Sequence, residues 1–162
     1  MLCAYLDAGF NVSIPFGAGA SYDLVVDSGI RLLKIQVKTA WVSGGCIIYK
    51  SQRRQPGNGL TRRAYRSGEV DYFVAYCPTT GSIYAVPAEK HGVEGRLRLE
   101  QVRDGQAKLV RWAADHTWQR HIDELRSYYA WQESNLRPPV PETGALSPEL
   151  QAREKNFRTL KV

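Results

Sequence analysis

Three polar side chains at short spacing draw attention. Asp23 lies in Tyr22-Asp23-Leu24-Val25-Val26-Asp27. Gln36 and Lys38 lie in Leu33-Lys34-Ile35-Gln36-Val37-Lys38-Thr39-Ala40. A carboxylate, a carboxamide oxygen and an ammonium suit phosphodiester hydrolysis if they converge. Magnesium takes few protein oxygens and keeps waters and phosphate oxygens in its shell. Asp23 can supply the anionic ligand and Gln36 its carbonyl oxygen, a weaker donor than a carboxylate. Such a metal polarises the scissile phosphate and lowers the pKa of a bound water. Lys38 can steady the attacking water and the charge developing on phosphorus.

Convergence depends on the elements that carry these residues. Side chains alternate faces along a strand. Gln36, Lys38 and Lys34 therefore share one face, while Ile35 and Val37 take the other, which can be buried. A hairpin through Ser28-Gly29 brings Asp23 toward Gln36 and Lys38. The same alternation also describes an amphipathic edge strand whose Gln and Lys simply face water, so spacing alone leaves both readings open.

The remaining pattern gives an α+β chain. Leu2, Tyr5 and Leu6 share a helical face, and Gly9 suits the end of that helix. Pro15 and the small residues from Gly17 to Ser21 make a loop. Strands are expected over 22–27, 31–40, 46–50, 71–77 and 82–87. A further hairpin is expected from 97–102 and 107–112, around Arg103-Asp104-Gly105-Gln106. Gln52 to Arg66 reads as loop. Trp118, Ile122, Leu125 and Tyr129 fall on one face of a helix over 115–131. Two segments are expected, a domain over 1–131 and a Pro-containing tail over 132–162 with little periodicity.

The chain has 162 residues, the length of one ordinary domain. It is 43% apolar and 23% charged, which excludes wholesale disorder. No apolar run is long enough to cross a bilayer. The first residues lack the basic start and apolar stretch of a secretory signal. Cys3, Cys46 and Cys77 are scattered, which argues against a disulfide framework and fits a reducing cytoplasm. The net charge is +6, and it is concentrated. Lys50, Arg53, Arg54, Arg62, Arg63 and Arg66 fall in one segment without an acid, and the rest of the chain balances. Such a segment, beside Gln52, Gln55 and Asn58, fits a polyanion partner, nucleic acid foremost. A solvated loop is the alternative.

Other polar residues have plainer readings. Asp27 is expected to cap its turn, and Asp71 to cap a strand or pair with an arginine. His91, His116 and His121 show no HxH or HExxH spacing. Trp41, Trp112, Trp118 and Trp131 are expected in the core. Tyr49 and Tyr65, beside the basic segment, are candidates for base stacking.

Gly-Phe-Asn-Val from Gly9, Ile-Pro-Phe-Gly from Ile14, Tyr-Asp-Leu-Val-Val-Asp from Tyr22 and Ile-Gln-Val-Lys-Thr-Ala from Ile35 together resemble the PD-(D/E)XK nuclease superfamily. The similarity is to the branch typified by cyanobacterial group I intron homing endonucleases, where glutamine replaces the usual acid before the lysine. Gly68-Glu69-Val70-Asp71-Tyr72-Phe73-Val74-Ala75-Tyr76 and Ile83-Tyr84-Ala85-Val86-Pro87 resemble it too. The resemblance covers about residues 4–125. It implies a restriction-endonuclease-like fold, an α/β (α+β) mixed central β-sheet flanked by helices, with a shortened first helix. It implies magnesium-dependent cleavage of double-stranded DNA, an active site at Asp23, Gln36 and Lys38, metal ligation by Asp23 and Gln36, and a homo-oligomer. It places the protein with bacterial DNA in the cytoplasm. Lys50, Ser51, Arg53, Arg54, Arg62 and Arg63 are candidate DNA contacts on charge and position rather than on a matched motif.

One departure bears on activity. The branch usually carries a glutamate on a helix well before the glycine corresponding to Gly9, and Asp7 is too close to Gly9 to replace it. Either the true start lies upstream and supplies that glutamate, or one metal-site carboxylate is lacking and weaker metal binding is expected. A DNA-binding protein impaired in cleavage, or a resolvase of four-way junctions using the same chemistry, are the alternatives.

Overall fold

The computed structural model describes residues 1–17, 19–54, 62–90, 92–100 and 110–136. Its central strands are β3 (Leu32–Ser43) and β7 (Tyr72–Cys77). β7 is apolar along its length, and both its faces are covered except at the exposed Tyr76. Tyr72 and Val74 enter one buried cluster, and Phe73, Ala75 and Cys77 enter another. That arrangement is the expected consequence of period-2 alternation in a strand buried on two sides.

β3 holds the sheet together. Its first half pairs antiparallel with β2 (Leu24–Asp27), with Leu24 opposite Ile35 and Asp27 opposite Leu32. Residues Ile35 to Thr39 pair parallel with Tyr72 to Tyr76 of β7. Its last four residues pair antiparallel with β4 (Cys46–Lys50) across the Gly44-Gly45 turn. β1 (Asn11–Ser13) extends the sheet beyond β2, β8 (Ser82–Pro87) beyond β7, and β9 (Glu94–Arg98) beyond β4. The result is a mixed seven-stranded sheet. A separate two-stranded ribbon joins β5 (Gln52–Arg54) to β6 (Arg62–Ala64).

The first cluster joins Leu24, Val26, Leu33 and Ile35 of the sheet to helix α1 (Leu2–Asp7) through Tyr5 and to helix α2 (Trp118–Leu136) through Ile122 and Leu125. α1 stops in a Schellman arrangement. Gly9 adopts φ 89°, its N–H bonds Leu6 O, the Phe10 N–H bonds Tyr5 O, and the Phe10 ring meets Tyr5 edge-on. Glycine is favoured there because a side chain resists positive φ. The second cluster lies on the opposite face, where Ile47, Tyr49 and Leu97 of the β4–β9 pair cover Phe73 and Val86. Among the described residues, both α-helices pack on the first face. The architecture is α+β, a mixed sheet with helices on its first face.

Several boundaries differ from the sequence expectation. β1, β5 and β6 were not expected as strands. β9 begins at Glu94 rather than Leu97 and pairs with β4 rather than with a following hairpin strand. The expected partner over 107–112 lies mostly outside the described residues. α2 runs to Leu136, so Glu133–Leu136 of the expected tail are helical. The chain divides into one unit over Met1–Gln132 and another over Glu133–Val162. The Pro-rich part of the second unit lies outside the described residues. No described helix is long and apolar enough to cross a membrane.

Candidate active site

Asp23 stands where the β2–β3 ladder ends. Its N–H bonds Ile35 O at 2.8 Å. One residue pair further, at Leu24 and Ile35, the regular pairing stops, which leaves the Val37 N–H without a strand partner on that edge. The Asp23 carboxylate supplies one, with Oδ2 accepting from Val37 N at 2.8 Å. The same oxygen accepts from Gln36 Nε2. The side chain is thus held by the strand that carries the other two candidates.

Gln36 is 9% exposed, and both ends of its amide are hydrogen-bonded. Nε2 also reaches Val37 O at 3.3 Å, and Oε1 accepts from the Tyr65 hydroxyl at 3.0 Å. Those partners define which end of the amide is oxygen. Lys38 is half-buried on the same face. Its Nζ donates to the Tyr65 hydroxyl at 3.3 Å and lies 5.3 Å from the ring centroid. Burial lowers the Lys38 pKa, and the Asp23 charge raises it in part. On Tyr65 the same two causes add, and its hydroxyl is pushed up by burial first and then by Asp23. Asp23, Gln36, Tyr65 and Lys38 therefore form one hydrogen-bonded chain on a single face.

Tyr65 is the member that sequence reasoning placed elsewhere. It packs edge-on against Phe73 at 5.1 Å, so the ring is not an open stacking platform. Tyr49 is wholly buried, and a methyl at Gly95 would overlap its ring. Neither tyrosine has the exposed face that base stacking needs. Asp27 caps its turn by accepting from Gly29 N at 2.8 Å, and Asp71 accepts from Lys34 N at 2.8 Å.

The basic segment folds into the β5–β6 ribbon with its charges partly answered. Arg53 and Arg63 are direct cross-strand partners, a juxtaposition that like charges disfavour. Glu69 resolves it. Arg63 grips Glu69 with two hydrogen bonds of 2.7 and 2.5 Å, Arg53 lies 3.7 Å away, and the Arg66 N–H adds a third bond. The Arg63 and Arg66 bonds hold the Glu69 carboxyl at about 2. Arg53 also donates to Ser21 Oγ and to Gly19 O, which ties the ribbon to the loop before Asp23. Lys50 pairs with Glu94 and sits 5.8 Å from the Trp41 ring. Ser51 is 0% exposed, with its hydroxyl donating to Gly92 O at 2.9 Å. A buried, bonded hydroxyl holds a loop and is not a surface contact, so Ser51 leaves the DNA-contact set. Arg62 is exposed. The side chain of Arg54 lies outside the described set. Beside Lys38 opens a cleft of about 300 Å³ lined by Thr39, Trp41, Lys50, Gln52 and Arg62.

A family model described as PD-(D/E)XK endonuclease matches residues 1–119. The chain belongs to the PD-(D/E)XK endonuclease family. A solved structure titled as a bacterial homing endonuclease, I-Ssp6803I, is similar to it. That structure is 28% identical, has a TM-score of 0.59, and the match covers 81% of this chain and 89% of that one. No curated protein matches the chain. PD-(D/E)XK nucleases in general use divalent metal ions, so the donor set matters. Among the described residues no group of three or more His, Cys, Asp or Glu gathers to hold a metal. What is present is one carboxylate and one carboxamide. Both hydrogen bonds that the described residues give to Asp23 end on Oδ2, which leaves Oδ1 for a cation. Gln36 turns Nε2 to Asp23 and Oε1 to Tyr65, so Asp23 Oδ1 is the oxygen this arrangement offers a hard ion, which would keep most of its shell as water and phosphate oxygen.

Proposed function

We propose that this PD-(D/E)XK protein is a magnesium-dependent endonuclease of double-stranded DNA, site-specific and associated with an intron or mobile element. The observation that carries the reading is the bonded chain Asp23–Gln36–Tyr65–Lys38 beside a cleft lined by Lys38, Lys50 and Arg62. A hydrolytic centre next to a cationic groove is what cutting a polyanion requires. The homing endonuclease likeness supports site specificity, and a homo-oligomer suits a long target.

Asp23 would hold the ion through Oδ1, and Gln36 would join it through the second lone pair of Oε1, whose first is taken by Tyr65. Bound there, magnesium supplies Lewis-acid polarisation of the phosphate and a more acidic water. The chain's own residues do the rest. Lys50 and Arg62 hold the sugar–phosphate backbone in the cleft. The Lys38 ammonium donates toward the phosphoryl oxygens, where negative charge grows as the water attacks. Its half-buried position strengthens that interaction over what water would allow. The catalytic unit is the segment 1–131, with 132–162 as an appended tail, and the protein works on bacterial DNA in the cytoplasm.

Lys38→Ala tests this directly. Cleavage of duplex DNA in magnesium should disappear while binding in a filter or gel-shift assay persists. Equal cleavage by the variant rejects the assignment. Among the described residues the site holds one carboxylate, Asp23, which favours one other outcome, a DNA-binding protein without cleavage. Wild-type protein that binds DNA in a salt-dependent way and never cuts it in magnesium would establish that instead.

A further inference from the structure

We propose that Tyr65 is a positioning residue of this site, its hydroxyl fixing the Gln36 amide and the Lys38 amine at the same time; its consequence for hydrolysis rests on the nuclease reading. A phenol has one proton to give and lone pairs to receive. Here both capacities are used, toward Gln36 Oε1 at 3.0 Å and from Lys38 Nζ at 3.3 Å. Without this hydroxyl, the carboxamide loses the partner of its oxygen. The amine keeps four rotatable bonds and loses the one hydrogen bond that the described residues give it.

Tyr65 is itself well held. Its ring is pinned edge-on to the buried Phe73 at 5.1 Å. It directly follows β6, and Arg63 of that strand is locked to Glu69. The residue therefore brings a rigid, two-torsion side chain from the basic ribbon to the two flexible groups on β3. Tyr65, Gln36 and Lys38 come from segments separated by 27 to 29 residues. Reacting groups displaced by about 1 Å can lose roughly a hundredfold in rate, so two unanchored groups next to a phosphate matter.

Tyr65→Phe removes only the oxygen and keeps the ring against Phe73, so the variant folds. Two readouts are taken. In protein without metal or DNA, NMR relaxation reports the order of the Gln36 side-chain amide. With duplex DNA and saturating magnesium, kcat and KM are separated. The expected result is a more mobile Gln36 amide and a kcat lowered about tenfold to a hundredfold, with KM unchanged. An amide as ordered as in the wild type overturns the proposal. A loosened amide with unchanged kcat overturns its catalytic meaning. Should the wild type cut no DNA at all, the nuclease reading fails by itself, and the relaxation measurement still decides whether Tyr65 positions Gln36.

Discussion

At the scale of single residues, the site gives each polar atom a structural task beside its chemical one. The Asp23 carboxylate satisfies the Val37 N–H that the end of β2 leaves unpaired, and it receives the Gln36 amide. The Val37 bond lies at the exposed end of the ladder, where water can replace a lost partner, so its net contribution to the fold is about 1 kcal/mol. Asp23→Asn separates the two tasks. Asparagine keeps one oxygen that can accept from Val37, but it carries no charge. The urea unfolding free energy should change by about 1 kcal/mol or less, whereas cleavage should fall by about a hundredfold or more. A variant that cuts normally would remove Asp23 from the metal-binding role.

At the scale of elements, the β5–β6 ribbon explains how a run of positive charge can fold beside the candidate site. Arg53 and Arg63 face one another across the ribbon, and Glu69 lies between them. Because the hydrogen bonds from Arg63 and Arg66 hold the Glu69 carboxyl at about 2, below its ordinary 4.5, the clamp favours the folded state wherever Glu69 is ionised. The contribution is complete above about pH 4.5 and is lost as pH falls through about 2. Glu69→Gln removes the charge at every pH. Thermal melts should show the wild type more stable than the variant near neutrality, with the gap closing as pH drops toward 2. A gap that stays constant with pH would mean the clamp is not electrostatic. The Arg63 and Glu69 side chains keep 24% and 19% of their surface exposed, and solvent screening keeps the difference small.

At the scale of the whole molecule, the two helices are joined through one buried polar contact. His121 of α2 meets the Tyr5 hydroxyl of α1 at 2.9 Å, is 3% exposed, and packs on Trp118 and Tyr72. Among the described residues its Nδ1 has no partner. Burial holds the His121 imidazole down at about 4, against an ordinary 6.5. Between these values the unfolded chain binds a proton that the native protein refuses, so stability rises with pH there. Stability should therefore be full above pH 6.5 and fall as pH drops toward 4, by on the order of 3 kcal/mol from this residue. Urea midpoints measured between pH 7 and 4 check it, with His121→Gln as the reference that lacks the slope. Equal slopes for the two proteins would contradict the assignment.

Much of this was legible in the chain before any coordinates. Period-2 alternation placed Gln36 and Lys38 on one face of β3 and Ile35 on the other, and the Ser28-Gly29 turn set Asp23 against them, because both rules act within a few residues. Strand 82–87 and the Gly9 helix end were readable for the same local reason. The ribbon was not, since arginine pairs in a Gly- and Pro-punctuated segment look like loop until an acid from beyond the segment supplies the counter-charge. Ser51 looked like a DNA contact because burial is not written in a residue's neighbours. Tyr65 looked like a stacking ring because nothing near it in sequence shows that its hydroxyl ends between Gln36 and Lys38. Local sequence thus determined the candidate residues and their faces. Contacts between distant segments decided which charges remain free for a polyanion and which side chain holds the site in place.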